Sequence, residues 1–420
     1  MTAALPALAK LRPNPQWAKL PLFDRKGWKT VRFGEVVENL NETCDPEETG
    51  LERFIGLEHL EPGSLHIRAW GNVVDGTTFT RRCRPGQVLF GKRRAYQRKV
   101  AVAEFDAVVS GDIYVLAPKG DLLLPELLSF LCLSERFFQH AVGTSAGSLS
   151  PRTNWSSLAS FEFVLPPLDQ QRRIAGILWA IDEVCVTHSA QAAALESSIA
   201  SLRAELLAGS FGRQRRSLKG NGHIPTSHPA VRLADVLTIT AGNAFKSEDF
   251  CPAGVQLIRL GNLYEGRLDL SRSQVFLPES FLEKYSDFIL RPGDILFSMT
   301  GTMGKEDYAY AVVVPEATPP TFLNQRVAKL VPKSDVHPEY LIQCLRSRLF
   351  LDQIYSKAAG SKQANVSNKD IYSTLTPLPP LKEQQEIAAQ LDRFERARSD
   401  VADATRCSTL LLAVLNNTLV

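Results

Sequence analysis

From Ile174 onward, apolar positions recur in alternating steps of four and three. The stripe runs Ile174, Leu178, Ile181, Cys185, His188, Ala192, Leu195, Ile199, Leu202, Leu206. That is a heptad seam, and it predicts a long helix with a partner along one face. A second stripe follows: Ile387, Leu391, Phe394, Arg398, Val401, Thr405, Ser408, Leu412, Leu415, Leu419, each 213 positions beyond its counterpart. Both begin after Leu-Pro-Pro-Leu, at Leu165–Leu168 and Leu378–Leu381. Proline is tolerated in a first helical turn and not further in, so both copies read as helix starts. Gly209 and Gly212 offer a stop for the first helix. At 1.5 Å per residue, a helix of about 40 residues is about 60 Å long, more than a globular core needs. The seam is polar in its middle, at His188 and Arg398, where such residues set register. If the two halves are related by a pseudo-twofold, the helices run antiparallel.

The rest of the chain also repeats. Pro125-Glu126-Leu127-Leu128 matches Pro338-Glu339-Tyr340-Leu341, Ala146-Gly147-Ser148 matches Ala359-Gly360-Ser361, and Gln171 matches Gln384. Upstream the offset shrinks: Arg84-Pro85-Gly86 matches Arg291-Pro292-Gly293, and Val31-Arg32-Phe33 matches Val231-Arg232-Leu233. A repeat this large is a duplicated domain rather than a solenoid unit of about 20–50 residues. The expected layout is a first domain over 1–165, a spacer helix over 166–211, a linker over 212–228, a second domain over 229–378 and a C-terminal helix over 379–420. Strand-like runs such as Val88-Leu89-Phe90 beside helical stretches give an α/β (α+β) fold: two tandem globular domains and two long helices paired as an antiparallel coiled coil.

Composition narrows the class. With 420 residues, 44% hydrophobic and 22% charged, the chain is a folded protein of more than one domain. No apolar run approaches the ~20 residues of a membrane span. The proline-broken start, MTAALPALAKLRPNPQW, has no signal-peptide core. Cysteines 44, 83, 132, 185, 251, 344 and 407 stand singly, without CxxC and without a His cluster nearby. That argues against a disulfide framework or a metal site and fits a reducing cytoplasm. The linker GRQRRSLKGNGHIPTSHP is basic, rich in turn formers, and reads as a flexible tether.

Charge distribution says more than the net charge of +3. The segment RRCRPGQVLFGKRRAYQRK carries Arg81, Arg82, Arg84, Lys92, Arg93, Arg94, Arg98 and Lys99 without an acid, with Phe90 and Tyr96 interleaved. Clustered cations attract a nucleic-acid backbone because they release its counterions. The second half has RPGDILFSMTGTMGK at the same place, where Ser298, Thr300 and Lys305 could meet phosphates. GTMGK lacks the spacing of a nucleotide-binding P-loop. Asn243, Lys246, Asn324, Gln325 and Arg326 are further polar candidates. No nucleophile elbow, HExxH or dinucleotide glycine pattern is present, and the chain reads as a binder rather than an enzyme.

GWKTVRFGEVVENL, LFGKRRAYQRKVAVAEFDAVVSGD, AGNAFKSEDFCPAGVQLIRLGNL, RPGDILFSMTGTMGK and the two LPPLxxQ…IA…L helix starts, in this order, resemble the specificity subunits of type I restriction–modification systems. The resemblance covers nearly the whole chain. It implies two target-recognition domains, each reading one part of a bipartite double-stranded DNA site. It implies helices that act as a spacer and dock two methyltransferase (modification) subunits, with restriction subunits joining the full complex. S-adenosylmethionine, ATP and Mg2+ would then be used by the partners, with no cofactor, metal or catalytic residue in this chain. Two readings stay open beside it: the specificity subunit of a methylation-only or type II-like system, and a coiled-coil scaffold that binds protein alone.

Overall fold

The structure is a computed structural model that describes residues 24–207, 215–217, 223–225, 228–264, 266–360 and 362–418. Its internal contacts divide it into two compact units, Met1–Ala190 with Val401–Val420, and Gln191–Asp400. The boundaries between the units fall within the two long helices.

In the first unit an antiparallel sheet runs in the order Val37–Leu40, Ile113–Pro118, Val88–Gly91, Val100–Val102. A second sheet runs Gly71–Asn72, Arg53–Ile55, Ala107–Val109, Arg81–Cys83, with its middle pair parallel. Lys29–Arg32 pairs with Glu162–Leu165 and brings the chain to the helix start. Helices Pro125–Leu133 and Glu135–Gly143 cover the first sheet, packing Phe130, Phe137 and Phe138 against Phe90 and Phe33. The second unit repeats this pattern. Its first sheet is Leu237–Ala241, Val327–Pro332, Ile295–Ser298, Ala311–Val313. Its second is Phe276–Leu277, Val255–Ile258, Thr321–Leu323, Ile289–Leu290, again with the middle pair parallel. Ala230–Arg232 pairs with Leu375–Pro377. The shared Arg-Pro-Gly is a tight turn in both: Gly86 and Gly293 each adopt φ 86°, a left-handed conformation that glycine takes without steric cost.

The central helix spans Leu168–Leu207 and the C-terminal helix Leu381–Thr418. Each is tied to its own globular body by a buried glutamine in its first turn. Gln171 Oε1 accepts from the Leu124 N–H (2.9 Å), and its Nε2 donates to Leu122 O and Pro166 O (both 2.8 Å). Gln384 does the same with His337 N–H (2.8 Å), Asp335 O (3.1 Å) and Pro379 O (2.9 Å).

The helices run antiparallel within each unit. In the first, Cys185 lies beside Thr409 (3.9 Å), while Ile174, Leu178 and Ile181 join Leu412 and Leu415 in one apolar cluster. In the second, Glu196 meets Arg398 and Arg203 meets Glu395, while Leu202, Leu206 and Leu207 pack on Ile387, Ala388 and Leu391. Leu195 is half-buried. One expected seam position is corrected: Phe394 is 41% exposed, and Glu395 turns inward instead to meet Arg203. A four-residue step from Leu391 serves the charged cluster there better than the heptad's three. Gly209, Gly212, Ser361 and Leu419 lie outside the described residues, as does most of the expected linker. Within it, Arg215–Ser217 pairs antiparallel with His223–Pro225.

Candidate nucleic-acid interface

Sequence made the segment Arg81–Lys99 look free of acids, but the fold brings acids to it. Arg84 is bonded to Glu42 (2.6 Å), and the Arg84 guanidinium holds the Glu42 carboxyl below its usual range. Arg82 bonds Asp106 (2.8 Å), Arg98 bonds Glu135, and Arg81 donates to Asn41 (3.1 Å). Lys99 Nζ donates to Leu57 O (2.6 Å). These cations tie the two sheets and the helix Glu135–Gly143 together, and several serve structure first. Phe90 belongs to the core, so of the two interleaved aromatics only Tyr96 is exposed.

A different balance holds around Gly91–Arg98. Arg93 (3.1 Å) and Arg152 (2.9 Å) share the Asp112 carboxylate. Burial works to raise the Asp112 pKa, but the hydrogen bonds from Arg152 and Arg93 overcome it and hold the acid ionised. Lys92 sits 4.9 Å over the Tyr114 ring, and burial, aided by Arg81, lowers its pKa. Arg94 adds a further guanidinium. Four cations, Lys92, Arg93, Arg94 and Arg152, thus gather around one carboxylate that only Arg93 and Arg152 bond, among the described residues, which leaves the loop positive.

In the second unit the expected phosphate-facing hydroxyls are corrected. Ser298 is fully buried and Thr300 is 3% exposed. Ser298 Oγ accepts from the Tyr310 N–H (2.9 Å), pinning the loop from inside. Both sit on strands whose side chains face the core, and neither reaches the surface. Lys305 is exposed, Arg326 donates to Asn365 Oδ1 (3.2 Å), and Lys246 pairs with Glu248 (3.2 Å). Asn324 is half-buried and bridges Asn243 in backbone pairing.

Other residues were not legible beforehand. Arg152 and Ser150 join the first loop from more than fifty residues away; the repeated Ala-Gly-Ser just before them was the available signal. Arg53 lies between the Trp70 and Phe105 rings, at 4.5 and 4.6 Å, and Arg272 stacks 4.2 Å over Tyr264. Nothing in local sequence marked these pairs.

Among the described residues no helix is long and apolar enough to cross a membrane. The family model of the type I restriction modification DNA specificity domain matches twice, over residues 25–196 and 229–403. The type I restriction enzyme MjaVIII specificity subunit of Methanocaldococcus jannaschii is 24% identical over 384 residues, covering 88% of this chain and 86% of its own length. Among solved structures, the type I restriction-modification system S subunit from M. genitalium has a TM-score of 0.59 at 11% identity, covering 94% of this chain and 96% of its own. A chain solved in work on complex assembly and conformational transition of the type I R-M system gives 0.51 at 21% identity, covering 94% and 97%. At these identities the two structures establish a shared fold. The doubled domain match extends that to ancestry: the chain belongs to the type I restriction–modification DNA specificity family.

Proposed function

We propose that this chain is the DNA-specificity subunit of a type I restriction–modification complex. Each half recognises one part of a bipartite site on double-stranded DNA, and the paired helices dock methyltransferase subunits, with restriction subunits completing the assembly. The observation that carries this reading is the duplicated pair of four-stranded sheets, arranged alike in both units, with a cation-rich loop on the first. Two related readers in one chain suit two related half-sites, whose spacing follows protein geometry.

The chemistry resides in the partners. A methyltransferase subunit would use S-adenosylmethionine, and a restriction subunit ATP and Mg2+; this chain supplies recognition alone. A target base must leave the stack before it is methylated, so the readers also hold a deformed duplex. The free cysteines suit the cytoplasm, where chromosomal DNA lies. The test is to co-express the full chain with its methyltransferase subunit and map methylated adenines across the host genome. A bipartite motif is expected; methylation without one, or none at all, removes the reading. Binding must also fall steeply with salt, which a protein-only scaffold would not show.

A further inference from the structure

One backbone arrangement occurs in both halves beside the first sheet. In the first, the loop leaving Phe90 folds against the return segment Thr144–Thr153. Thr153 N donates to Lys92 O (3.0 Å), Arg94 N donates to Pro151 O (2.7 Å), and Arg152 exchanges bonds with Ala146 (2.9 and 3.0 Å). In the second, the loop leaving Phe297 does likewise. Val366 N donates to Met299 O (2.9 Å), Asn365 exchanges bonds with Ala359 (3.0 and 3.2 Å), and Thr300–Thr302 pairs with Gln363–Asn365. Ala146, Arg152 and Thr153 correspond to Ala359, Asn365 and Val366 at the constant spacing of 213.

The side chains on this common frame differ. In the first half, Arg94 is half-buried, and its guanidinium donates to the neutral hydroxyl of Ser150 (3.2 Å) and, among the described residues, to no carboxylate. The Nε atoms of both Arg93 and Arg94 are buried without a hydrogen-bond partner among the described residues. A half-buried cation without an acid bears a desolvation cost that an arriving anion would relieve. Arg94 and Arg98 are both left-handed (φ 54° and 57°), and the turn between them holds Tyr96 out to solvent, 55% exposed. Residues in such conformations persist where the surroundings over-determine them, often at ligand contacts. In the second half Thr300 is buried, and the exposed face carries Met303, Lys305, Lys362 and the Arg326–Asn365 pair.

We propose that these two pinned loops are the DNA-contacting elements of their halves. Arg94, Arg152 and Tyr96 make the contact in the first, and Lys305, Arg326 and Asn365 in the second. This rests on the DNA-specificity reading above. The guanidiniums match phosphate oxygens or the O6/N7 edge of guanine, the Asn365 amide matches the N6/N7 edge of adenine, and the Tyr96 ring offers a stacking face. The shared frame holds each loop in place while its side chains set what is read.

The test uses the full chain co-expressed with its methyltransferase subunits, carrying Arg94→Ala, Tyr96→Ala, Lys305→Ala or Asn365→Ala. Methylated motifs are mapped, and binding to a duplex bearing the wild-type motif is measured against salt. Arg94→Ala is expected to weaken binding about tenfold or more, and either to relax one part of the motif, marking a base contact, or to flatten the salt slope by about one, marking a phosphate contact. Lys305→Ala and Asn365→Ala are expected to act on the other part. Tyr96 and Lys305 are exposed, so those two variants decide the matter even if Arg94→Ala fails to fold. Unchanged motifs with affinities within about twofold in every folded variant overturn the assignment while leaving the bipartite reading intact. A wild-type complex that marks no bipartite motif overturns that reading, and this assignment with it.

Discussion

The helix pair is held by an apolar contact in both units, and the second unit adds a charged cluster to it. In the first, Ile174, Leu178, Leu412 and Leu415 merge with the domain core, an apolar contact that is non-directional and tolerant of small shifts. In the second, Glu395 sits among Arg203 (2.6 Å), Arg398 (2.8 Å) and Arg346 (3.9 Å), while Arg203 also bonds Gln343 (3.0 Å). Burial pushes the pKa of Arg203 and of Arg346 down, and Glu395 pulls both back. A buried charged cluster adds little net stability when complete and much instability when broken, while its geometry fixes one register. Similar sequences on one fold thus share the adhesion, and the charged cluster of the second unit adds alignment.

That contrast can be broken most forcefully at its charged end. Glu395→Ala leaves guanidiniums buried without their acid and should destabilise the protein by about 3–5 kcal/mol in chemical denaturation; a loss below about 1 kcal/mol would show the cluster to be solvated. At the apolar end, Leu178→Ala should cost about 3 kcal/mol through lost burial and a residual cavity. Its volume-matched Leu178→Met should cost under about 1.5 kcal/mol, whereas no conservative replacement of Glu395 keeps the same bonds. Smaller effects test the helix attachments. Gln171→Ala and Gln384→Ala each strand buried backbone groups and should cost about 2 kcal/mol apiece; they should match one another, unlike the two ends of the helix pair.

A pH effect is smaller again. His66, in the first unit, bonds Asp182 (2.7 Å) and Glu104 (3.0 Å). Burial opposes its charged form, but the bonds to Asp182 and then Glu104 prevail and raise its pKa. A raised folded-state pKa stabilises fully below the unfolded value near 6.5 and fades as pH rises through the folded value. Asp182→Asn should therefore destabilise more at about pH 6 than at about pH 9, with equal losses counting against a charged pair. Last, Thr409→Cys should form a disulfide with Cys185 under mild oxidation without a large change in stability, because the two side chains already meet; a failure to crosslink would move the register.

Much of this architecture was legible because it is periodic. The heptad seam gave the helices, and the constant offset gave the duplicated domain, down to Gln171 and Gln384. Phe394 was misjudged because a heptad template is blind to Arg203, which draws Glu395 inward from the other helix. Ser298 and Thr300 looked like a polar loop because small hydroxyl residues carry little burial signal in a sequence; their backbone partners lie a dozen or more residues away. The basic segment looked unpaired for the same reason. Glu42, Asp106, Asp112 and Glu135 reach it only through sheet pairing and helix packing.

The paired glutamines carry a consequence for how such a protein can change. Every bond that Gln171 makes is to main-chain N–H or C=O of Leu122, Leu124 and Pro166, and Gln384 follows the same rule at Asp335, His337 and Pro379. A joint made from main-chain groups is indifferent to the side chains of the body it holds. Loops elsewhere on that body can be rewritten residue by residue, and the fastening does not notice. The attachment behaves like a standard thread: any body that offers two carbonyls and an amide at the same places can be screwed onto the same helix.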